Sequence, residues 1–460
     1  MSDKRSTVGS IGMTRKQLYK TLAVVALPIA CQNLIASSLS LVDNLMVGHL
    51  GEQELAAVGL STQIFFIQWM MLFGFCSGCA TFIAQFWGTK DLKNIRKVTG
   101  FALTVCFSFS FCFFLFAVLA PDRVMGLFTN IPEAITMGKD YVRTGALCFL
   151  CTAVTVPFTT ALRATQQTAK PLVISTTAFT LNTILNYIFI FGKFGCPAMG
   201  IVGAALATVF SRVLEMLLTL YVVFGRKNIL KAPIRQFFGW SKEFAAHVAG
   251  NALPTTINET MWGVGTSTYN AIYGRTAMTA VAAVQASGTI LNMFTMAFFS
   301  LGDAMLILVG QSLGRGEMDQ AYALAKRLYR IGIVMGLAGG LALIFIAPWL
   351  VGWFDFTPQG SGYAVKILII YGVTMVLKLF NGISITGSLR AGGDTKFAMI
   401  AEVSIMWLVG VPLVFLGALV WKLPVYLVVL LAQAEELLKG IVLFLRFRSK
   451  KWLRNVIKDM

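Results

Sequence analysis

The chain has 460 residues, of which 57% are hydrophobic and only 13% charged, and its formal net charge is +18. A soluble domain carries about 25% charged residues, so this much apolar side chain does not fit inside one soluble core and must largely face lipid. Lys and Arg lie in short clusters between long apolar runs, which is typical of membrane-protein loops rather than of a nucleic-acid-binding face. We therefore expect a lipid bilayer as partner and no nucleic acid.

A membrane-spanning helix needs about 20 predominantly apolar residues. Run length and the lack of alternating hydrophobicity predict helices rather than barrel strands. The expected fold class is an all-α, polytopic membrane protein with twelve transmembrane helices. In chain order the predicted spans are 20–46, 55–86, 98–120, 135–162, 171–192, 199–224, 246–273, 280–310, 322–347, 363–387, 397–420 and 424–446.

The distribution of Lys and Arg predicts the orientation, because cytoplasmic loops carry an excess of both. With the odd-numbered connections outside, 28 Lys and Arg lie inside, five lie outside, and five lie within spans or at their edges. We therefore expect a multi-pass protein of the plasma (inner) membrane with both termini in the cytoplasm.

The sequence also repeats itself at an offset of 226 residues. Ala-Leu-Pro at 26–28 recurs at 252–254, and Leu-Arg-Ala at 162–164 recurs at 389–391, one residue further along. Because six spans separate the copies, the two halves are parallel repeats, an organisation that is common in secondary transporters. At the same offset, three pairs of identical residues correspond: Asn44 with Asn270, Gln85 with Gln311, and Gly88 with Gly314.

These repeats predict two six-helix lobes. The N-terminal lobe comprises residues 1–235, including a basic cytoplasmic tail, and the C-terminal lobe comprises residues 236–460. The sequence contains neither a G-x-x-x-x-G-K-[ST] phosphate loop nor a His-rich metal motif. We expect a monomer without enzymatic activity, and no cofactor apart from Na⁺ as one alternative for a coupling ion.

Several segments together resemble the multidrug and toxic compound extrusion (MATE) family of the multidrug/oligosaccharidyl-lipid/polysaccharide flippase superfamily. They are VDNLMVGHLGEQELAAVGLS at 42–61, ALRATQQTAKP at 161–171, GIVGAALAT at 200–208 and SLRAGGDTKF at 388–397. The resemblance extends from about residue 18 to residue 458. It implies a secondary active multidrug exporter in which amphiphilic organic cations leave in exchange for H⁺ or Na⁺, by alternating access between the lobes.

A carboxylate at the centre of a membrane helix costs about 3 kcal/mol on insertion scales, so Asp43 in the first span is a functional candidate. The family resemblance implies that Asp43 is a cation site joined by Asn182, Asn186 and Thr208. Some members carry an acid where this chain has Asn186, which leaves the choice between H⁺ and Na⁺ open. We favour H⁺, because removal from water disfavours a charged carboxylate and the neutral Asn186 lowers the negative charge of the site.

A second predicted site centres on Glu259, near the middle of the seventh span. Trp262 shares its helix face, and Asn33 is its equivalent in the first repeat. Glu259 resembles the span 7 glutamate of one branch of the family, which often has a second acid in span 10. Here that stretch contains Lys378 and Asn381 instead. Two interpretations stay open, a substrate-binding site and an ion pair between Glu259 and Lys378.

The remaining charges within spans are interpreted as structural pairs. An alternative function within the superfamily is a lipid-linked precursor flippase, which should have a strongly cationic cavity for pyrophosphate. The sequence offers few cations for such a cavity, so we favour the exporter. The charges interpreted as structural are Arg212 with Glu215, and Lys439 with Glu435 and Glu436.

Overall fold

The computed structural model describes residues 15–129, 131–225, 228–276, 278–353, 356–458 and 460. The predicted basic tail before residue 15, and the basic pair Arg226 and Lys227, lie outside the described residues. The described residues form helices joined by short turns, with no strand among them.

The first half of the chain contains eight helices. One of them is short and lies between the third and fourth predicted spans, and the fourth predicted span is divided between two helices. The others begin and end close to predicted spans. In order they are α1 (Arg15–Gly48), α2 (Glu52–Gly88), α3 (Leu92–Leu119), α4 (Pro121–Gly126), α5 (Pro132–Gly145), α6 (Leu147–Ala164), α7 (Ala169–Phe191) and α8 (Gly200–Phe224).

A 3₁₀ turn (Ile234–Gln236) precedes the helices of the second half. Three of these helices are followed directly by π-helical turns, at Ile383–Leu389, Met406–Gly410 and Leu416–Val420. The helices are α9 (Lys242–Tyr273), α10 (Met278–Gly314), α11 (Met318–Val351), α12 (Pro358–Gly382), α13 (Thr395–Ile405), α14 (Val411–Phe415) and α15 (Val425–Arg448).

All twelve predicted spans coincide with helical segments. The fourth span consists of α5 and α6, and the eleventh comprises α13, α14 and their two π turns. Within the described part of the chain, ten helices are long and apolar enough to cross a membrane. Helices α9 and α15 coincide with predicted spans but are not among the ten; α9 contains Glu259, and α15 contains Glu435, Glu436 and Lys439.

Local sequence explains where several helices end. Asp91 caps α3, since its Oδ1 accepts a hydrogen bond of 3.0 Å from the backbone N–H of Asn94. Gly192 ends α7 in the left-handed conformation, with φ of 65°, where a side chain would be strained. Proline occupies the first turn of α4, α5 and α12, where its missing N–H costs no helical hydrogen bond.

The chain packs as two compact units. Among the described residues, those of 31–83 and 91–263 form the one that we call the Asp43 unit, and those of 15–30, 84–90 and 264–460 form the C-terminal unit. Helices α1, α2 and α9 contribute residues to both. This division follows packing, whereas the lobe boundary at 235/236 was inferred from the repeat and stays a prediction.

Small residues allow close helix packing within each unit, as is common in membrane proteins. In the Asp43 unit, a Cβ on Gly74 of α2 would lie 2.7 Å from the Cα of Thr256 on α9. In the C-terminal unit, a Cβ on Gly340 of α11 would collide with the backbone oxygen of Gly372 on α12. Dispersion and close backbone approach hold these helices together, because lipid leaves little hydrophobic drive for helix association.

Candidate functional site

Asp43 lies on α1 in the Asp43 unit, and its carboxylate is held by amides of α7. Asn186 Nδ2 donates a hydrogen bond of 2.7 Å to Asp43 Oδ1. When the Asn182 amide is turned to the orientation that hydrogen bonding favours, its nitrogen lies 3.1 Å from both Asp43 oxygens. Asn182 and Asn186 are four residues apart and therefore share one face of α7. The hydrogen bonds described at Asp43 thus come from neutral donors.

The carboxylate borders a cavity of about 210 Å³ between α1, α7 and α8. Thr208, the fourth predicted residue of the site, also lines it. The Thr208 hydroxyl donates to the backbone oxygen of Ala204 at 3.0 Å, so the lone pairs of its oxygen remain available to a cation. The lining residues are Ala36, Asp43, Ala178, Phe179, Asn182, Thr208, Ser211, Arg212 and Glu215.

The wall formed by α8 carries an ion pair whose place the sequence did not reveal. Arg212 Nη1 lies 2.6 Å from Glu215 Oε2, with 35% of the arginine side chain and 8% of the glutamate side chain exposed. The i, i+3 spacing of opposite charges had indicated a structural pair. The pair exists, but it lines the same cavity as Asp43. The sequence feature that could have indicated this location is the presence of two opposite charges within an otherwise apolar span.

Glu215 is also the end of a chain of hydrogen bonds that links four helices. Arg163 of α6 donates to Gln32 Oε1 of α1 at 2.5 Å. Gln32 Nε2 donates to Ser175 Oγ of α7 at 2.7 Å, and Ser175 Oγ donates to Glu215 Oε1 at 3.1 Å. Helix α1 is therefore anchored at two points, Asp43 and Gln32, eleven residues apart.

The second predicted site divides between the two units. Glu259 and Trp262 lie on α9, and Asn33 lies on α1, all within the Asp43 unit. Lys378 and Asn381 lie on α12 in the C-terminal unit. The side chain of Glu259 is half-buried. Its pairing with Lys378 stays a prediction.

Within the C-terminal unit, Asn381 takes part in a compact charged cluster that we call the α15 cluster. Asn381 Nδ2 donates to Glu436 Oε2 at 2.7 Å. Lys439 Nζ lies 2.7 Å from Glu435 Oε1 and 3.4 Å from Glu436 Oε1. The Tyr269 hydroxyl of α9 donates to Glu435 Oε2. Each carboxylate therefore has a charged partner and a neutral donor.

Lys378 of α12 lies within electrostatic reach of the same carboxylates. Glu435, Glu436 and Lys439 are the charged groups near enough to act on it. The structure thus gives Lys378 two acidic neighbours within its own unit. The sequence had suggested only Glu259 for that role, because distances between α12 and α15 are not visible in the sequence.

The residues around Asp43 fit a monovalent cation better than a divalent one. They offer a carboxylate and neutral oxygens, and Asn186 Oδ1 is buried without a hydrogen-bond partner. Among the residues that the structure describes, no group of three His, Cys, Asp or Glu side chains is arranged to hold a metal ion. Because Asn182 and Asn186 direct their amide nitrogens at Asp43, both amides would have to turn for oxygen atoms of Asp43, Asn182, Asn186 and Thr208 to hold Na⁺ here.

Comparisons with known proteins agree with the repeat. A sequence model of the MatE family matches residues 28–188 and 254–416, and the starts of the two matches differ by the 226-residue offset. The chain is 25% identical over 452 residues to an uncharacterized transporter, YisQ, of Bacillus subtilis, covering 96% of this chain and 97% of the relative. It is 24% identical to a probable multidrug resistance protein NorM of Thermotoga maritima, covering 96% of this chain and 94% of the relative.

A solved structure of a similar fold, described as MATE in complex with MaL6, covers 94% of this chain and 96% of its own. The TM-score is 0.86 at 19% sequence identity. This likeness concerns the fold. The all-α prediction of a polytopic membrane protein with two six-helix repeats is thereby confirmed.

Proposed function

The chain belongs to the MatE family, and from that membership we propose that it is a secondary active exporter of amphiphilic organic cations, driven by inward H⁺ or Na⁺. The observation that carries the proposal is the cavity beside Asp43, in which neutral amides hold a carboxylate. The name of the Thermotoga maritima relative, a probable multidrug resistance protein, supports export of several compounds. We place the exporter in the plasma membrane as a monomer. Both termini are cytoplasmic in this proposal, because the Lys and Arg bias favours that orientation.

Charge around the cavity favours a monovalent cation as substrate. One guanidinium and two carboxylates line it, which leaves one negative charge when all three are ionised. An organic cation neutralises that charge, and so does a proton or a sodium ion at Asp43. Substrate and coupling ion therefore compete for one charge. The Phe179 ring of α7 also lines the cavity and supplies an aromatic face that attracts cations; the Arg212 guanidinium lies 5.8 Å from its centroid.

Competition at Asp43 explains how the ion gradient drives export. In the outward-facing state, the coupling ion enters from outside, neutralises Asp43 and releases the organic cation. Alternating access between the lobes then carries the ion inward, where the site discharges it and takes up substrate. One ion exchanged for one monovalent cation moves no net charge, so only the concentration gradient contributes, at about 1.4 kcal/mol for each tenfold gradient.

Cavity size indicates which part of the substrate Asp43 contacts. Drug-sized ligands occupy pockets of about 300–1,000 Å³, whereas this cavity measures about 210 Å³. We therefore assign it to the cationic head group, with the apolar part of the substrate extending beyond it. The lipid-linked precursor flippase is disfavoured by the same cavity, because pyrophosphate would meet a site of net negative charge.

The test uses purified protein in vesicles with an imposed pH gradient and, separately, an imposed sodium gradient. Asp43→Asn is nearly isosteric and should fold normally but lose gradient-driven efflux. Asp122→Asn is the matched control, because Asp122 is exposed and contacts only Lys139, at 3.4 Å, among the ion pairs described. Wild-type efflux driven by sodium alone would exclude proton coupling. Efflux that survives in Asp43→Asn would exclude Asp43 as the coupling residue.

A further inference from the structure

The last residues of the chain fold back against the C-terminal unit after α15 ends. Trp452 is fully buried. Its Nε1 donates to the backbone oxygen of Phe447 at 3.2 Å, and its ring stacks on that of Phe447 at 5.6 Å between centroids. A fully buried tryptophan in this segment shows that the segment is bound to the C-terminal unit.

Gln85, in the last turn of α2, binds the backbone of that segment. Gln85 Nε2 donates to the backbone oxygen of Arg454 at 3.1 Å, and Gln85 Oε1 accepts from the backbone N–H of Val456 at 2.9 Å. The same Nε2 donates to the backbone oxygen of Ala391 at 2.8 Å. Because Gln85 contacts backbone atoms of the tail, this contact requires a backbone N–H at position 456.

Residues at the end of α10 and in the loop before α13 also contact the tail. Asn455 Nδ2 donates to the backbone oxygen of Gly314, at the end of α10, at 3.2 Å. Gly392 packs against the backbone oxygen of Trp452, and a Cβ at Gly392 would collide with it. Asp394 holds Arg446 at 2.6 Å and Arg454 at 3.6 Å. We call the set Gln85, Gly314 and residues 391–394 the tail groove, and residues 452–456 the tail segment.

Beneath the tail segment, the ends of α2 and α10 cross at two positions related by the repeat. A Cβ on Gly88 would collide with the backbone oxygen of Gln311, and a Cβ on Gly314 would collide with that of Gln85. Residues 84–90 consequently belong to the C-terminal unit, although most of α2 belongs to the Asp43 unit. The tail segment lies across this crossing and binds both helix ends.

We propose that the tail groove is a binding site for the chain's own tail segment, which acts as a latch that holds the end of α2 against the end of α10. Movement of α2 away from α10 must break either the hydrogen bonds of Gln85 to the tail segment or the hydrogen bond of Asn455 to Gly314. The latched and released states therefore differ in whether residues 84–90 stay in the C-terminal unit. This inference goes beyond cation export and does not depend on the role of Asp43.

The test compares Val456→Pro with Val456→Ala in the full-length protein in lipid nanodiscs. Proline removes the N–H that Gln85 Oε1 accepts, whereas alanine keeps it. Hydrogen exchange followed by mass spectrometry should show slow exchange at 452–457 and 84–90 in the wild type and in Val456→Ala. In Val456→Pro, exchange in both segments should rise about tenfold, which corresponds to about 1.4 kcal/mol.

A second variant opens the groove from the other side. Gly392→Ala introduces a methyl group at the position of the Trp452 backbone oxygen, so it should expel the tail segment and give the same exchange pattern as Val456→Pro. Exchange at 452–457 as fast as in a free peptide of that sequence would show that the wild-type tail is not bound. Equal protection in the proline and alanine variants would refute the Gln85 contact. Faster exchange at 452–457 with unchanged exchange at 84–90 would refute the latch.

Discussion

The Asp43 cavity and the α15 cluster are two polar regions within membrane helices, and they treat charge in opposite ways. Asp43 is hydrogen-bonded by uncharged amides and borders a cavity. Glu435 and Glu436 contact the ammonium group of Lys439, and only 3% of the Lys439 side chain is exposed. A carboxylate with neutral partners gains or loses a cation without breaking an ion pair. A carboxylate that is already paired retains its charge, because an unpaired buried charge is costly.

The comparison shows why the number of acids in a span is a poor guide to function. The α15 cluster has two carboxylates, as many as the Asp43 cavity, but Lys439 and the neighbouring Lys378 supply two positive charges to compensate them. The Arg212–Glu215 pair is intermediate, since it is ionic but lines the Asp43 cavity. What distinguishes an exchange site is access to a cavity and a charge that its neighbours leave uncompensated.

The largest expected effect comes from breaking the α15 cluster. Lys439→Met leaves Glu435 and Glu436 buried without the ammonium group that they contact, which should cost about 3–5 kcal/mol of stability. Asp43→Asn removes a carboxylate that has no ionic partner at hydrogen-bond distance among the described residues, and it should leave the melting temperature nearly unchanged. Thermal unfolding in detergent measures both. As a control, Lys439→Met combined with Glu435→Gln should recover part of the loss. A wild-type melting temperature for Lys439→Met alone would contradict this view of the cluster.

A smaller effect should follow from changing the charge of the Asp43 cavity without changing Asp43. Glu215→Gln frees the Arg212 guanidinium to compensate Asp43, so the affinity for organic cations should fall about tenfold, or about 1.4 kcal/mol. Adding Arg212→Met removes the competing cation, and the double variant should bind cations again. Equilibrium binding of a fluorescent cation distinguishes the three proteins. If the double variant binds no better than Glu215→Gln, charge compensation by Arg212 is the wrong explanation.

Much of the fold was predictable, because span length and the charge of the connections are local properties of the sequence. All twelve spans lie on helical segments. The division of the fourth span between α5 and α6, and the π turns after Gly382 and Ile405, were not predicted. Such interruptions depend on how neighbouring helices pack, and apolar periodicity does not encode that.

The candidate sites were predictable to different degrees. Asn182 and Asn186 were assigned to Asp43 through the family resemblance, and the structure places both within hydrogen-bond distance of it. The location of Arg212 was missed, because i, i+3 spacing predicts a pair but not what the pair faces. For Lys378 the sequence offers Glu259 as an ion-pair partner and does not reveal Glu435 and Glu436, since it gives no distances between α12 and α15. The tail segment was also missed, because Gln85 binds backbone atoms and leaves no motif.

Glu259 tests the same contrast between an available and a paired carboxylate, because its two interpretations predict different outcomes. If it binds substrate, Glu259→Gln should reduce transport of cationic compounds about fivefold, or about 1 kcal/mol, and neutral compounds less. If Glu259 only pairs with Lys378, then Glu259→Gln with Lys378→Met should fold well and keep cation transport. We expect the double variant to lose cation transport. Retained export would reduce Glu259 to a structural role.

The smallest expected effect concerns Thr208, whose oxygen distinguishes the two coupling ions. Sodium needs several oxygen ligands, so with sodium coupling Thr208→Val should weaken the apparent Na⁺ affinity about threefold, the contribution of one neutral ligand at about 0.6 kcal/mol. A proton needs only one acceptor, and Asp43 supplies it. Since we favour H⁺, we expect proton-driven efflux in Thr208→Val to match the wild type over the whole pH range. Thr208→Ser keeps the oxygen and controls for the change in volume. A sodium-dependent defect in the valine variant that is absent from the serine variant would assign the Asp43 cavity to Na⁺.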